Sequence, residues 1–226
     1  AVAVEGLAVG THYAYAPTAD GVPLTPSTEF RTDDPSVATT ILAFGDSGTV
    51  SPEQTAIRDR MAMTPADSIL HAGDMVYDSG APSEFDPTYF QPYAELLRRL
   101  MIWPCLGNHD IRTLNGQPWR DVFYTPANNP NHNEGYYSFD VGNAHVVVLN
   151  SNGAVGVGGS QYNFLDAELT ASTATWNIVV FHHTMYSSGT SHGSAIPIRN
   201  SLVPIMDAHG VDLVLMGHEH NYERTH

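Results

Sequence analysis

From residue 38 onward, short aliphatic and β-branched runs alternate with stretches whose apolar positions recur every three or four residues. A run at 39–45 predicts a strand. Ser51-Pro52-Glu53 then opens a helix, with Ser51 as N-cap and Pro52 at the first helical position. A second strand is predicted at 67–73, then a longer helix whose apolar spacing is clear at Tyr93, Leu96, Leu97 and Leu100, then a third strand at 101–106. Residues 111–135 are rich in Asn, Pro and Gly and read as a long loop of the kind that shapes access to a site. Tyr137-Ser138-Phe139 and 145–149 read as antiparallel strands turning at Gly142-Asn143. A helix at 160–171, a strand at 177–182, a helix at 197–208 and a last strand at 211–216 complete an α/β pattern.

The first 32 residues differ. Alternation from Gly6 to Tyr15 and a short run from Ser27 to Arg31 make one hairpin, too little to fold alone. Thr32-Asp33-Asp34-Pro35-Ser36 then reads as a linker. The hairpin either ends a preceding domain or lies on the main domain as an edge ribbon.

A chain of 226 residues suffices for one large domain, or one domain and a fragment. Its net charge of −15 and nine scattered basic residues exclude a nucleic-acid groove, which needs clustered Lys and Arg. No stretch approaches the length of a membrane span, and none reads as a signal peptide. The single cysteine, Cys105, lies in an apolar run and reads as a small buried residue.

Candidate chemistry falls at the ends of the predicted strands. Five clusters occur there: Gly45-Asp46-Ser47-Gly48, Gly73-Asp74-Met75-Val76-Tyr77, Gly107-Asn108-His109-Asp110, Val179-Val180-Phe181-His182, and Gly217-His218-Glu219-His220. Together they hold carboxylates, a phenol, an amide and imidazoles, donors suited to hard or borderline metal ions. Each residue alone has an ordinary structural role, whether N-cap, turn or packed aromatic. All five clusters in this order point instead to one two-metal site, assembled where strands stop and loops begin.

On these clusters, and on the flanking Asn221-Tyr222-Glu223-Arg224, the chain resembles the catalytic domain of a purple acid phosphatase, within the calcineurin-like metallophosphoesterase superfamily. The resemblance implies a four-layer α/β/β/α sandwich over 38–226. It also implies that 1–32 are the last strands of a fibronectin type III-like domain, with Tyr13 placed like a tyrosine corner. The family's chains continue beyond the Tyr-Glu-Arg stretch, so the chain is expected to be cut at both ends. By the same resemblance Asp74 bridges two ions. Asp46, Tyr77 and His220 complete the first, and Asn108, His182 and His218 the second. His218 and His220 are two apart, so an extended segment would project both from one side. A phenol becomes a neutral-pH ligand only beside a strongly acidic cation, which favours Fe(III) at the first site; the second would take divalent Zn, Mn or Fe.

The implied reaction is acid-phosphatase-type hydrolysis of a small phosphate monoester by a metal-bound hydroxide, in a secreted or periplasmic protein with no nucleic-acid or membrane partner. His109 and His192 would line the pocket, with His192 the preferred general acid. His183 is a weaker candidate, since a neighbour on a strand points to the opposite face unless the strand ends there. His71, His132, His145 and His209 read as structural or exposed. A phosphodiesterase or nucleotidase on the same core, or a non-catalytic metal-binding module, are the alternatives. Oligomeric state is not legible.

Overall fold

Strands that bury both faces need apolar residues at every position, and this chain supplies them in two sheets. The structure is a computed structural model, and it describes residues 4–225. The first sheet is parallel, in the order β5 (Ile41–Phe44), β6 (Ser68–His71), β7 (Met101–Pro104). The second runs β11 (Leu213–Leu215), β10 (Trp176–Val180), β9 (Ala144–Val148), β8 (Tyr137–Val141). In it β8 and β9 pair antiparallel, while β9, β10 and β11 are parallel.

The two-residue period sorts side chains into three apolar layers. Leu70, Val146, Val148, Ile178 and Val180 pack between the sheets with Cys105 and Tyr137. Trp103 and Phe139 stack across that gap with ring centroids 3.8 Å apart. Their alternates point outward. Ile69 meets helices α1 (Pro52–Ala62), α2 (Pro82–Phe85), α3 (Gln91–Leu97) and α4 (Gln117–Val122), through Met61, Phe85, Tyr93, Leu96 and Trp119. Val147, Leu149, Val179 and Phe181 meet α5 (Ser160–Ala171) and α6 (Ile196–His209), through Phe164, Leu165, Leu202 and Ile205. The layers are therefore helix, sheet, sheet, helix, as the resemblance implied.

Local signals hold in detail. The Ser51 side chain accepts a hydrogen bond from Gln54 N at 3.2 Å, with Pro52 opening α1. Two readings need correction. The stretch 111–135 is not all loop, because a 3₁₀ turn (Leu114–Gly116) runs into α4. Pro118 opens α4, and fully buried Trp119 anchors it. The longer helix predicted before β7 is broken into α2, a π-helical turn (Asp86–Phe90) and α3.

At the N-terminal end β1 (His12–Tyr15) pairs antiparallel with β4 (Thr28–Arg31), around a smaller hairpin of β2 (Thr18–Ala19) and β3 (Val22–Pro23). These strands add to neither main sheet. Tyr13 stacks on Phe30, and its hydroxyl accepts a hydrogen bond from Ala8 N at 2.8 Å. Tyr15 donates to the Arg98 carbonyl at 2.8 Å, and Asp33 accepts from Gly142 N at 2.8 Å, which fastens the segment to the layered body. No helix among the described residues is long and apolar enough to cross a membrane.

Candidate metal centre

Parallel strands end on a common edge, and the five loops that leave these strands close over it. Backbone bonds prolong the ladder past the strands: Asp46 N donates to Gly73 O at 2.9 Å, and Gly217 N to His182 O at 2.9 Å. Asp46, Asp74, His218 and His220 all adopt positive φ (55°, 53°, 75° and 29°). Non-glycine residues are held there only by surroundings that over-determine them, and such strain concentrates at functional sites. His218 and His220 thus lie in a tight turn, not in an extended segment, yet both reach the site. Gly107 is required for a different reason. A Cβ there would overlap the Asp74 carboxylate and the Asp74 backbone nitrogen.

Seven side chains converge in two sets that meet at one atom, Asp74 Oδ2. In the first set the Tyr77 hydroxyl lies 3.0 Å from Asp74 Oδ2, 3.2 Å from Asp46 Oδ1 and 3.0 Å from His220 Nε2. In the second, His182 Nε2 lies 3.4 Å from Asp74 Oδ2, 2.9 Å from Asn108 Oδ1 and 3.2 Å from His218 Nδ1. Asp74 Oδ1 is committed elsewhere, accepting from His109 N at 2.8 Å. Asp46, Asp74 and His182 place one ligand atom each within 4.8 Å of one another.

The electrostatics fit cations. His182 Nδ1 donates to the Ala72 carbonyl at 2.8 Å, which aims Nε2 at the Asp74 and Asn108 oxygens, the usual device for orienting a ligand histidine. Tyr77 has one proton for three acceptors. Burial, then the Asp46 and Asp74 charges, push its phenol far above the ordinary range, so it ionises only if a strong Lewis acid displaces the proton. Burial works against the Asp74 anion, but the His182 hydrogen bond and charge and the His109 amide hold it down at about 2. Burial, then His182 and His192, lower His218 to about 4, leaving a neutral imidazole. Two carboxylates, a phenol, an amide oxygen and three imidazoles, crowded together without enough donors, make a cage for positive ions.

Around this cage stand the remaining predicted residues. His192 is exposed, and its ring stacks on His218 at 4.0 Å between centroids and lies 6.2 Å from His220. The His109 ring sits 4.5 Å from Tyr77; Nδ1 is 2.7 Å from the Asp78 carbonyl and Nε2 3.1 Å from the Arg112 guanidinium. Arg112 can only donate, so Nε2 is the acceptor and Nδ1 carries the proton. β10 ends at Val180, and His183 does turn inward, its ring 4.6 Å from that of His218 and Nδ1 2.8 Å from Ser151 Oγ. Burial, then His182 and His218, lower its pKa to about 4.

Residues 39–222 match the calcineurin-like phosphoesterase family. The chain belongs to that family. Among curated relatives it is 28% identical over 197 residues to Purple acid phosphatase 21 of Arabidopsis thaliana, a match covering 81% of the chain and 45% of the relative. It is 30% identical over 181 residues to Probable inactive purple acid phosphatase 1 of the same plant, covering 70% of the chain and 29% of the relative. A solved purple acid phosphatase from yellow lupin (Lupinus luteus) seeds shares the fold with a TM-score of 0.82 at 20% identity, covering 97% of the chain and 46% of that structure. The chain thus spans less than half the length of each of these relatives.

Three further residues carry the site without touching the donor cluster's centre. Buried His71 accepts from Gly73 N at 3.2 Å through Nδ1 and donates to Ser47 Oγ at 2.8 Å through Nε2, tying the Asp46 turn to the Asp74 turn. Buried Asp110 accepts from Met75 N at 2.9 Å and Gly107 N at 2.8 Å, tying the Asp74 loop to the Asn108 loop. Glu219 holds the loop of His192. Asp110 and Glu219 lie inside the sequence clusters, and their distant backbone partners, Met75 for Asp110 and residues 191–193 for Glu219, reveal what they do.

Proposed function

We propose that the chain is a dimetal hydrolase of phosphate monoesters, in which the Asp74 carboxylate would serve both ions. Asp46, Tyr77 and His220 would hold the first ion, and Asn108, His182 and His218 the second. The observation that carries this reading is the meeting of two donor sets at one carboxylate oxygen. When bound, such a pair polarises phosphoryl oxygens and supplies a nucleophile from water near neutral pH. Tyr77 supports Fe(III) at the first site, since a phenol becomes a neutral-pH ligand only beside a strongly acidic cation. The second site suits divalent Zn, Mn or Fe.

The chain's own residues supply orientation and a proton. His192, at the exposed mouth and stacked on His218, would hand a proton to the leaving alkoxide. His109, locked with Nδ1–H on the Asp78 carbonyl, would orient the phosphoryl group together with the Arg112 cation and would not be the acid. His183, kept neutral by burial, would support His218. The acid-phosphatase type and a location outside the cytoplasm belong to this proposal through the family resemblance alone. Some relatives carry "Probable inactive" in their names, which favours a non-catalytic module as the second reading. All seven donors in contact favour activity.

The test is leaving-group dependence. His192→Ala should slow hydrolysis of an alkyl phosphate by roughly 10²-fold and an activated aryl phosphate far less, with both metals retained. Equal losses on the two substrates would make His192 a phosphate-binding group.

A further inference from the structure

His192 is carried by residues 187–194, a segment without helix or strand. Its shape comes from elsewhere. Glu219, only 5% exposed, aims its carboxylate into this loop. Oε1 accepts from Ser191 N at 2.8 Å, while Oε2 accepts from His192 N at 2.7 Å and Gly193 N at 2.8 Å. Three consecutive amides turned on one anion form a nest, closed here by Gly193 at φ 70°. Gly189 lies against the same carboxylate so closely that a Cβ would overlap it. Glu223 adds a second tether, both of its oxygens accepting from Ser188 N at 3.0 Å.

Glu219 also sits between His218 and His220 in sequence. One three-residue turn therefore presents a donor to each metal set and grips the loop whose histidine stacks on His218. We propose that Glu219 is a positioning residue, setting where His192 stands relative to the metal centre by gathering the amides of 191–193. The inference rests on the role proposed above for His192. It goes further in assigning a specific carboxylate to the placing of that group.

The experiment uses the chain loaded with iron at the first site and zinc at the second, with Glu219→Gln and Gly189→Ala as variants. Gly189→Ala keeps the carboxylate but crowds it out of the nest, so it serves if Glu219→Gln folds poorly. Amide hydrogen exchange at Ser191, His192 and Gly193 should accelerate by about tenfold or more, the scale of a lost hydrogen bond to a charged acceptor. Two metals should stay bound. For an alkyl phosphate, kcat should fall toward the value of His192→Ala with KM little changed, and an activated aryl phosphate should be much less affected. Either variant placed in the His192→Ala background should cost nothing further.

Unchanged exchange at 191–193 would overturn the proposal, as would a full additional loss in the His192→Ala background. Metal loss with the loop still protected would overturn it too, moving Glu219's role to holding His218 and His220. If His192→Ala slows both substrates equally, the proton-donor reading falls, and the exchange data together with the double variant decide on Glu219.

Discussion

His71 makes the pH dependence of stability calculable. It is fully buried, and burial lowers its pKa from 6.5 to about 3, opposed by the Asp46 and Asp74 charges. Below the unfolded value the unfolded ring takes a proton that the folded ring refuses, so stability drops as pH falls. The loss accrues between pH 6.5 and about 3, at up to about 1.4 kcal/mol per pH unit. His71→Gln removes the titration and at least one of two buried hydrogen bonds, a cost of about 1–3 kcal/mol at neutral pH. Urea unfolding of both proteins with metals chelated should show the variant less stable at pH 7.5. The gap should close as pH falls and change sign near pH 5, about one to two units below the unfolded pKa. His183 and His218 titrate in both proteins and cancel in the difference. A gap that stays constant from pH 7.5 to 4.5 would refute a neutral, buried His71.

Other outcomes follow from the same geometry. Asp74→Ala should lose both metals and Asn108→Ala mainly the second, read as metal per chain after gel filtration; equal losses would contradict a role for Asp74 in both sites. Gly107→Ala should push Asp74 out of place, abolish tight zinc binding in calorimetric titration, and destabilise the fold by about 1–3 kcal/mol through overpacking. Asp110→Ala leaves two buried amides unpaired, costing roughly 2–5 kcal/mol. Melting should then drop by about 5–15 °C, and a shift under 2 °C would count against that role.

The layered fold was legible because its strands are continuous apolar runs that alternate between two cores, as Ile69 and Leu70 do. The seven donors stood out because they fall in five short clusters at or just past the ends of such runs, and four of them, Asp46, Asp74, Asn108 and His218, directly follow a glycine that permits a sharp turn. Helix α4 was hidden by composition. Asn, Pro and Gly around it suggested loop, while Trp119 and Pro118 together make an anchored, proline-opened helix. The β2–β3 turn carries an Asp20-Gly21 signal that its short strands obscured. His71, Asp110 and Glu219 could not be read because they act on backbone amides. His71 and Asp110 each have one local partner, Glu219 has none, and the other partners lie 24 to 35 residues away.

The central claim is a pair of metals with Tyr77 on the first. Metal analysis of the iron-loaded chain, taken with its visible absorption spectrum, tests it most directly. The account predicts two metal ions per chain and a broad visible charge-transfer band that Tyr77→Phe abolishes. Fewer than two ions, or an oxidised iron-loaded chain with no visible band, would contradict it.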